Sequence, residues 1–305
     1  MKSFIIGISD RTVRFLELNE KREISYLEQT DISFSFSECF SLGMYDDSVI
    51  QEASEVINKF VRELNFTSSK IGVLLDSSYA FINKIPMDFD DTQENIISGI
   101  LWDLSNYFPD SYKDFKINFY KLKDRLYSER IKNTLIIAVE NKKLDILKKI
   151  LNNCGHRIHC FDIDHFGADK YVRMMNLGGK PGNIMNIGCK RNRIDMSIID
   201  SDGEVYFDYL IFRDTGYQKK LKSFLSLPCE VNSNLKFTSV NVYGDDYSDD
   251  VSKSISEMFP TVKVERADIF RKFLTSSRVR NNERYLDEGN KFIPLAGLAL
   301  TTLSK

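Results

Sequence analysis

All 3 histidines of the chain fall in or just after one stretch, Cys154-Gly155-His156-Arg157-Ile158-His159-Cys160, followed by Asp162, Asp164 and His165. Thiolates and imidazoles so close together are the ligand types of zinc, but zinc sites gather ligand pairs from separate turns at fixed spacing. Residues 157–162 read as a strand, where alternation sends Ile158, Cys160 and Asp162 to one side and His159 and Phe161 to the other. Ligands split in this way do not converge on a tetrahedral ion, so a structural role is expected and no metal. The run Gly244-Asp245-Asp246-Tyr247-Ser248-Asp249-Asp250 offers carboxylates suited to calcium. It lacks the ligand alternation and distal glutamate of a calcium loop, and reads instead as the cap of a helix from Ser248. Lys190, Arg191 and Arg193 beside Gly188 could hold a phosphate or another anion, or simply form a solvated hairpin. No Ser/His/Asp or Cys/His set sits in a strand–elbow–helix context, so no catalytic residue is assigned.

The elements that would position these residues follow from composition and pattern. A chain of 305 residues with 42% hydrophobic and 28% charged residues fits two soluble domains. A net charge of -2 argues against binding nucleic acid mainly by neutralising phosphates. The apolar runs are too short to cross a bilayer, and the opening Met-Lys-Ser-Phe-Ile-Ile-Gly reads as a strand rather than a signal peptide. The five cysteines, Cys39, Cys154, Cys160, Cys189 and Cys229, form an odd and irregular set, as expected of reduced cytoplasmic thiols.

Residues 4–8, 12–18 and 24–36 read as a β-meander, then a helix carries Val49, Ala53, Val56, Phe60 and Leu64 on one face, then a strand spans 70–75. Strands at 81–86, 115–122 and 133–140 follow, with a helix between the first two. Asp91 and Glu94 form its capping box, and its expected buried face is Ile97, Ile100, Leu101, Leu104 and Phe108. A helix at 142–153, a strand at 157–162 and a helix at 164–175 lead to the glycine-rich linker 176–183. The opening pattern then returns, with strands at 183–188, 193–200 and 204–212, a short helix at 217–225, a strand at 239–244, a helix at 248–258, a strand at 261–266 and a closing helix at 293–303. The basic stretch 266–284 reads as a solvated loop, although it could touch acidic lipid or a partner. Two copies of β-β-β-α-β-α imply a duplicated fold.

Ile6-Gly7-Ile8 followed by Thr12–Leu18 looks like the first phosphate hairpin of the actin and sugar-kinase superfamily, and within it this chain resembles the PilM family of type IV pilus assembly proteins. Ile82-Asn83-Lys84-Ile85-Pro86-Met87, Trp102 and Tyr107-Phe108-Pro109 are similar to that family's inserted subdomain, placed as in FtsA. Pro294-Leu295-Ala296-Gly297-Leu298 resembles its closing helix. The resemblance implies an α/β, duplicated actin-like (ribonuclease H-like) fold of two lobes. The first lobe would be 1–76 and 159–176, the insert 77–158, packed on that lobe, and the second lobe 177–305 with a reduced helical subdomain.

The same resemblance defines where a nucleotide would bind, and the sequence departs from the pattern at each station. Ser9 stands where the first carboxylate belongs, and Asp10 could substitute only in a rearranged turn. Asn186, two residues before Gly188, replaces the second carboxylate and carries no charge for a metal-bound water. Gly244 lacks a neighbouring glycine and is followed by Asp245 and Asp246. These five positions, Ser9, Asp10, Asn186, Gly188 and Gly244, are expected to be vestigial, with neither ATP nor magnesium as cofactor and no hydrolysis. What the resemblance then implies is a cytoplasmic scaffold, peripheral at the inner membrane. It would bind the N-terminal cytoplasmic tail of a bitopic PilN-like protein in a groove beside the insert, with other pilus or secretion platform components as further partners. Two alternatives share the fold: a divergent ATP-binding filament protein of the FtsA or MreB kind, and the cytoplasmic domain of a GspL-like secretion protein.

Overall fold

The computed structural model describes residues 2–42, 47–63, 69–88, 91–123, 131–155, 157–177, 182–212, 217–231, 236–282 and 285–304. In chain order the first elements are β1 (Lys2–Ile8), β2 (Thr12–Asn19), β3 (Glu23–Asp31), α1 (Phe36–Leu42), α2 (Asp47–Glu63) and β4 (Ser69–Leu75). Then come β5 (Phe81–Asp88), α3 (Gln93–Tyr107), β6 (Phe115–Lys121), β7 (Ile131–Glu140), α4 (Asn141–Asn153), β8 (Cys160–Ile163) and α5 (Asp164–Val172). The remainder is β9 (Asn183–Lys190), β10 (Arg193–Ile199), β11 (Glu204–Ile211), α6 (Tyr217–Val231), β12 (Phe237–Tyr243), α7 (Asp249–Met258), β13 (Lys263–Arg266), β14 (Leu274–Thr275), α8 (Ser277–Arg280) and α9 (Ile293–Leu303).

The duplication is visible in strand order. One sheet runs β14-β3-β2-β1-β4-β8 and another runs β11-β10-β9-β12-β13, so five strands recur in the same arrangement. In each, an antiparallel meander is extended by two parallel strands. A third sheet, β5-β7-β6, is the insert, spliced into the chain between β4 and β8. Among the described residues between β11 and β12 there is one helix, α6.

The chain divides into two compact units. The first comprises Met1–Tyr79, Lys142–Met175 and Ala267–Lys305. Its central strand β1 is buried from Ser3 to Ile8, a near-continuous apolar run that needs cover on both faces. On one face α2 lays down Ile50, Ala53, Ile57 and Phe60, with the Phe60 and Phe15 ring centroids 4.7 Å apart. On the other lies α9, apolar on nearly every side because it also packs on α5. That crossing depends on glycine: a Cβ at Gly297 would stand 1.9 Å from the Gly167 carbonyl oxygen, and one at Gly167 would stand 2.7 Å from that of Pro294. Pro294 begins α9 where a missing N–H costs nothing.

The second unit comprises Ala80–Asn141 and Asn176–Arg266. Met185, Ile187, Ile194, Met196, Val240 and Val242 put one face of its five-stranded sheet against α6 and α7. The insert buries Ile96, Ile100 and Leu104 of α3 on Ile136 and Ala138 of β7.

Several expected boundaries are corrected. Residues 267–305 belong to the first unit, not the second lobe, because α9 covers β1, β2 and β4. The insert was expected on the first lobe, yet 80–141 groups with 176–266. Lys84 Nζ lies 2.9 Å from Asp208 and over the Tyr206 ring, and the Lys123 amide donates to the Glu204 carbonyl. The helix α4, assigned to the insert, belongs to the first unit, where the Ser54 hydroxyl donates to the Ile150 carbonyl at 3.2 Å. The stretch 266–284 is no solvated loop: Ile269, Phe273 and Val279 are buried, and β14 pairs with β3. The cap of α3 is Thr92, whose hydroxyl accepts from the Asn95 amide, while Asp91 accepts from Thr92. Its buried stripe is Ile96–Ile100–Leu104, which leaves Ile97 exposed and Leu101 half-buried. The linker expected at 176–183 includes residues 178–181, which lie outside the described residues.

Candidate functional site

The five positions singled out as a nucleotide site divide between the units. Ser9 and Asp10 lie in the first, and Asn186, Gly188 and Gly244 in the second. In the first, the Ser9 amide donates to the Thr12 carbonyl at 3.0 Å and closes the β1–β2 turn. Asp10 caps α1: its carboxylate accepts from the Ser35 hydroxyl at 2.6 Å and the Ser37 amide at 3.0 Å. Its carbonyl also accepts from the Phe36 amide, and the Tyr79 hydroxyl stands 3.4 Å from the carboxylate. Burial pushes the Asp10 carboxyl up, but the bonds from Ser35 and Ser37 outweigh it and hold it below the usual carboxylate value.

A pH dependence follows with a definite sign. A carboxyl whose folded pKa is depressed adds stability above its unfolded value and loses it as pH falls through the folded one. Asp10→Ala should therefore lower stability by about 1 kcal/mol near neutrality, as for a lost N-cap. The gap to the parent protein should close below pH about 4. Thermal melts of the two proteins across that range check it, and a gap that widens on acidification would contradict the capping role.

In the second unit the apolar face of β9 and β10 is turned to α6 and α7, and the other face carries a polar row. Asn186 is fully buried, in register with Ser197 of β10 and Asn241 of β12. Gly188 stands opposite Asp195. Asp195 is fully buried and holds two cations, Lys190 Nζ at 3.0 Å and Arg193 Nε at 2.6 Å. The Arg193 guanidinium also lies 3.9 Å from the Tyr209 ring centroid. Of the three cations expected either to hold an anion or to form a solvated hairpin, Lys190 and Arg193 are taken up by a carboxylate of their own hairpin, and Arg191 is exposed. Asp195 was missed in the sequence. A lone acid within Arg193-Ile-Asp-Met-Ser-Ile-Ile is the signal, because a charge in the middle of a buried strand must be paired.

Gly244 has a structural reason to be glycine. Its φ is +112°, and a Cβ there would lie 2.2 Å from the Cys189 carbonyl oxygen. The Asp246 amide donates to that same oxygen, and burial with neighbouring Asp245 pushes the Asp246 carboxyl up. Ser248 caps α7, its hydroxyl accepting from the Val251 amide at 3.3 Å. Asp10 beside the first hairpin turn is committed to a helix cap, Lys190 and Arg193 of the second are paired with Asp195, and two acids follow Gly244.

The histidine-rich stretch forms no cluster either. Among the described residues no three His, Cys, Asp or Glu side chains gather as metal ligands. The Cys154 thiol donates to the Ile150 carbonyl and is pushed up to about 11 by burial, Cys160 contacts Thr302, and His165 lies buried beside Asp169. His156 lies outside the described residues.

Two sheets with one strand order, each extended from a meander by parallel strands, define a duplicated actin-like α/β protein. Residues 6–294 match the family "Type IV pilus assembly protein PilM", and the chain belongs to that family. Among solved structures it is similar to the PilM-PilN type IV pilus biogenesis complex, with TM-score 0.75 and 11% identity over 99% of this chain and 98% of that one. It also resembles a Bacteroides thetaiotaomicron protein with actin-like ATPase fold and unknown function (TM-score 0.53, 8% identity, 97% and 94% covered). A further likeness is to the cytoplasmic domain of EpsL, an inner membrane component of the type II secretion system of Vibrio cholerae (TM-score 0.53, 9% identity, 89% and 92% covered). No curated protein matches. No helix among the described residues is long and apolar enough to cross a membrane.

Proposed function

We propose that this type IV pilus assembly protein is a non-hydrolysing scaffold at the inner face of the membrane that holds the cytoplasmic N-terminal tail of a bitopic PilN-like protein. The observation carrying this reading is the end-to-end likeness to the chain of a PilM-PilN complex, at TM-score 0.75. The protein reaches the membrane through that partner alone. A groove between rigid elements binds an extended tail through main-chain hydrogen bonds and apolar pockets, and needs no nucleotide. The tail lies beside the insert.

Three measurements test it. A synthetic N-terminal tail of a PilN-like bitopic protein from the same genome should bind the purified chain. Deleting the tail in cells should move the chain from the membrane pellet to the supernatant, and retention in the pellet would overturn the reading. Phosphate release with ATP and magnesium should stay at background, for the parent protein and for Asn186→Asp alike. Phosphoryl transfer rests on several preorganised charges, and restoring one leaves the rest missing. Measurable turnover would favour the nucleotide-dependent filament class instead.

A further inference from the structure

The insert is tied to one part of the chain and seated on another. Both of its chain connections, before Ala80 and after Asn141, lead into the first unit, yet it groups with the five-stranded sheet of the second. Its seat on that sheet is therefore noncovalent. The apolar cluster of α3 and β7 and the apolar cluster of the five-stranded sheet share no residue. At two points where the insert meets the β10–β11 hairpin, the contacts are ionic.

Lys84 of β5 is the first point. Its Nζ lies 2.9 Å from the Asp208 carboxylate of β11 and 4.6 Å from the Tyr206 ring centroid. The Tyr206 hydroxyl donates to the same carboxylate oxygen at 3.0 Å and fixes it, and both members of the ion pair are half-buried. Lys123, two residues past β6, is the second. Its Nζ lies 2.8 Å from each oxygen of Asp200 and 3.1 Å from Asp202, at the tip of the hairpin. Asp200 is held ready by its own turn, one oxygen accepting from the Asp202 and Gly203 amides. Burial lowers the Lys123 ammonium pKa, but the bonds to Asp200 and Asp202 outweigh it and hold it above the usual lysine value. The Lys123 amide also donates to the Glu204 carbonyl at 3.3 Å, so one residue ties both main chain and side chain to the hairpin. An isolated exposed pair contributes little to stability, whereas prepositioned carboxylates sharing several donors act as a network.

We propose that Lys84 and Lys123 form an ionic latch, and that the insert swings off the β10–β11 hairpin as a folded body when their charge is screened or removed. The latch concerns the seating of the insert and does not depend on a tail bound beside it. The Lys123 amide is its reporter. Hydrogen exchange is followed by NMR on the full chain at Lys123 and at Ile136, a fully buried residue of the central strand of the insert sheet. Raising sodium chloride from about 50 mM to about 1 M shortens the Debye length to about 3 Å. Exchange at Lys123 should then quicken at least about tenfold, with Ile136 unchanged. Lys84→Met and Lys123→Met should each have the same effect at low salt, after correction for intrinsic rates. The swap of Lys84→Asp with Asp208→Lys should restore the protection that Lys84→Asp alone removes. The salt series uses the parent protein, so the test stays decisive if a variant fails to fold. Three results would overturn the latch: exchange at Lys123 indifferent to salt or to either methionine variant, no rescue by the charge swap, or Ile136 quickening in step, which would mean that the insert unfolds where it stands.

Discussion

Gly297→Ala is expected to destabilise the first unit by about 3 kcal/mol or more, and Gly297→Leu to leave no soluble folded protein. The added Cβ would meet the Gly167 carbonyl oxygen at 1.9 Å and the Tyr171 amide nitrogen at 2.7 Å. Both are backbone atoms of α5, so no side chain can swing aside, and α9 must lift away from the sheet it covers. Lifting it bares Ile5 and Gly72, against which Leu298 is seated. Gly155→Ala provides the contrast. Its φ is +73° but nothing lies within 4 Å of a Cβ there, so only the left-handed conformation costs, about 1–2 kcal/mol. Denaturant melts of the three proteins decide the matter. A Gly297→Ala midpoint equal to that of the parent protein would mean that the α5–α9 crossing yields more easily than its geometry implies.

Asp195→Ala should cost about 3–5 kcal/mol, the range for breaking a buried ion pair by removing one partner. The penalty arises from what stays behind, because Lys190 and Arg193 are then two nearly buried cations with their shared counter-charge gone. Replacing all three by apolar residues of similar size should recover most of the loss, since no charge is left to solvate. Chemical denaturation of the single and triple variants measures both terms. A single variant as stable as the parent would show that water reaches these cations, and the hairpin would then be open to anions after all.

Much of this architecture could be read from residue order. The return of an apolar strand ending in Ile-Gly, at Ile6-Gly7 and again at Ile187-Gly188, marked the duplication that the two sheets display. The bounds of α9 follow from Pro294 and an unbroken apolar run. The face of α3 was harder, because Ile96–Ile100–Leu104 and Ile97–Leu101 have the same four-residue spacing. Only the sheet beneath decides which stripe is inside. The stretch 266–284 was misread because its basic side chains hide short turns with no periodicity. Arg278 lies over the Tyr26 ring at 4.8 Å while Ile269 and Val279 fill the core. At the candidate site, the missing carboxylates at Ser9 and Asn186 were legible, but the commitments of the residues that remain were not. That Asp10 caps α1, and that Lys190 and Arg193 close on Asp195, depends on contacts 2 to 27 residues apart that turn geometry alone makes.

The first unit is assembled from three separate stretches of chain, and α9 covers a strand that begins at Lys2. On the ribosome β1 emerges well before α9, and one of its faces has no partner until residues 293–303 follow. At bacterial synthesis speeds that interval is on the order of 15–60 s. For that time Ile5, Gly7 and their neighbours form an exposed apolar surface prone to aggregation. Without α9 that surface stays open, so the helix acts as a late seal on the earliest strand of the unit.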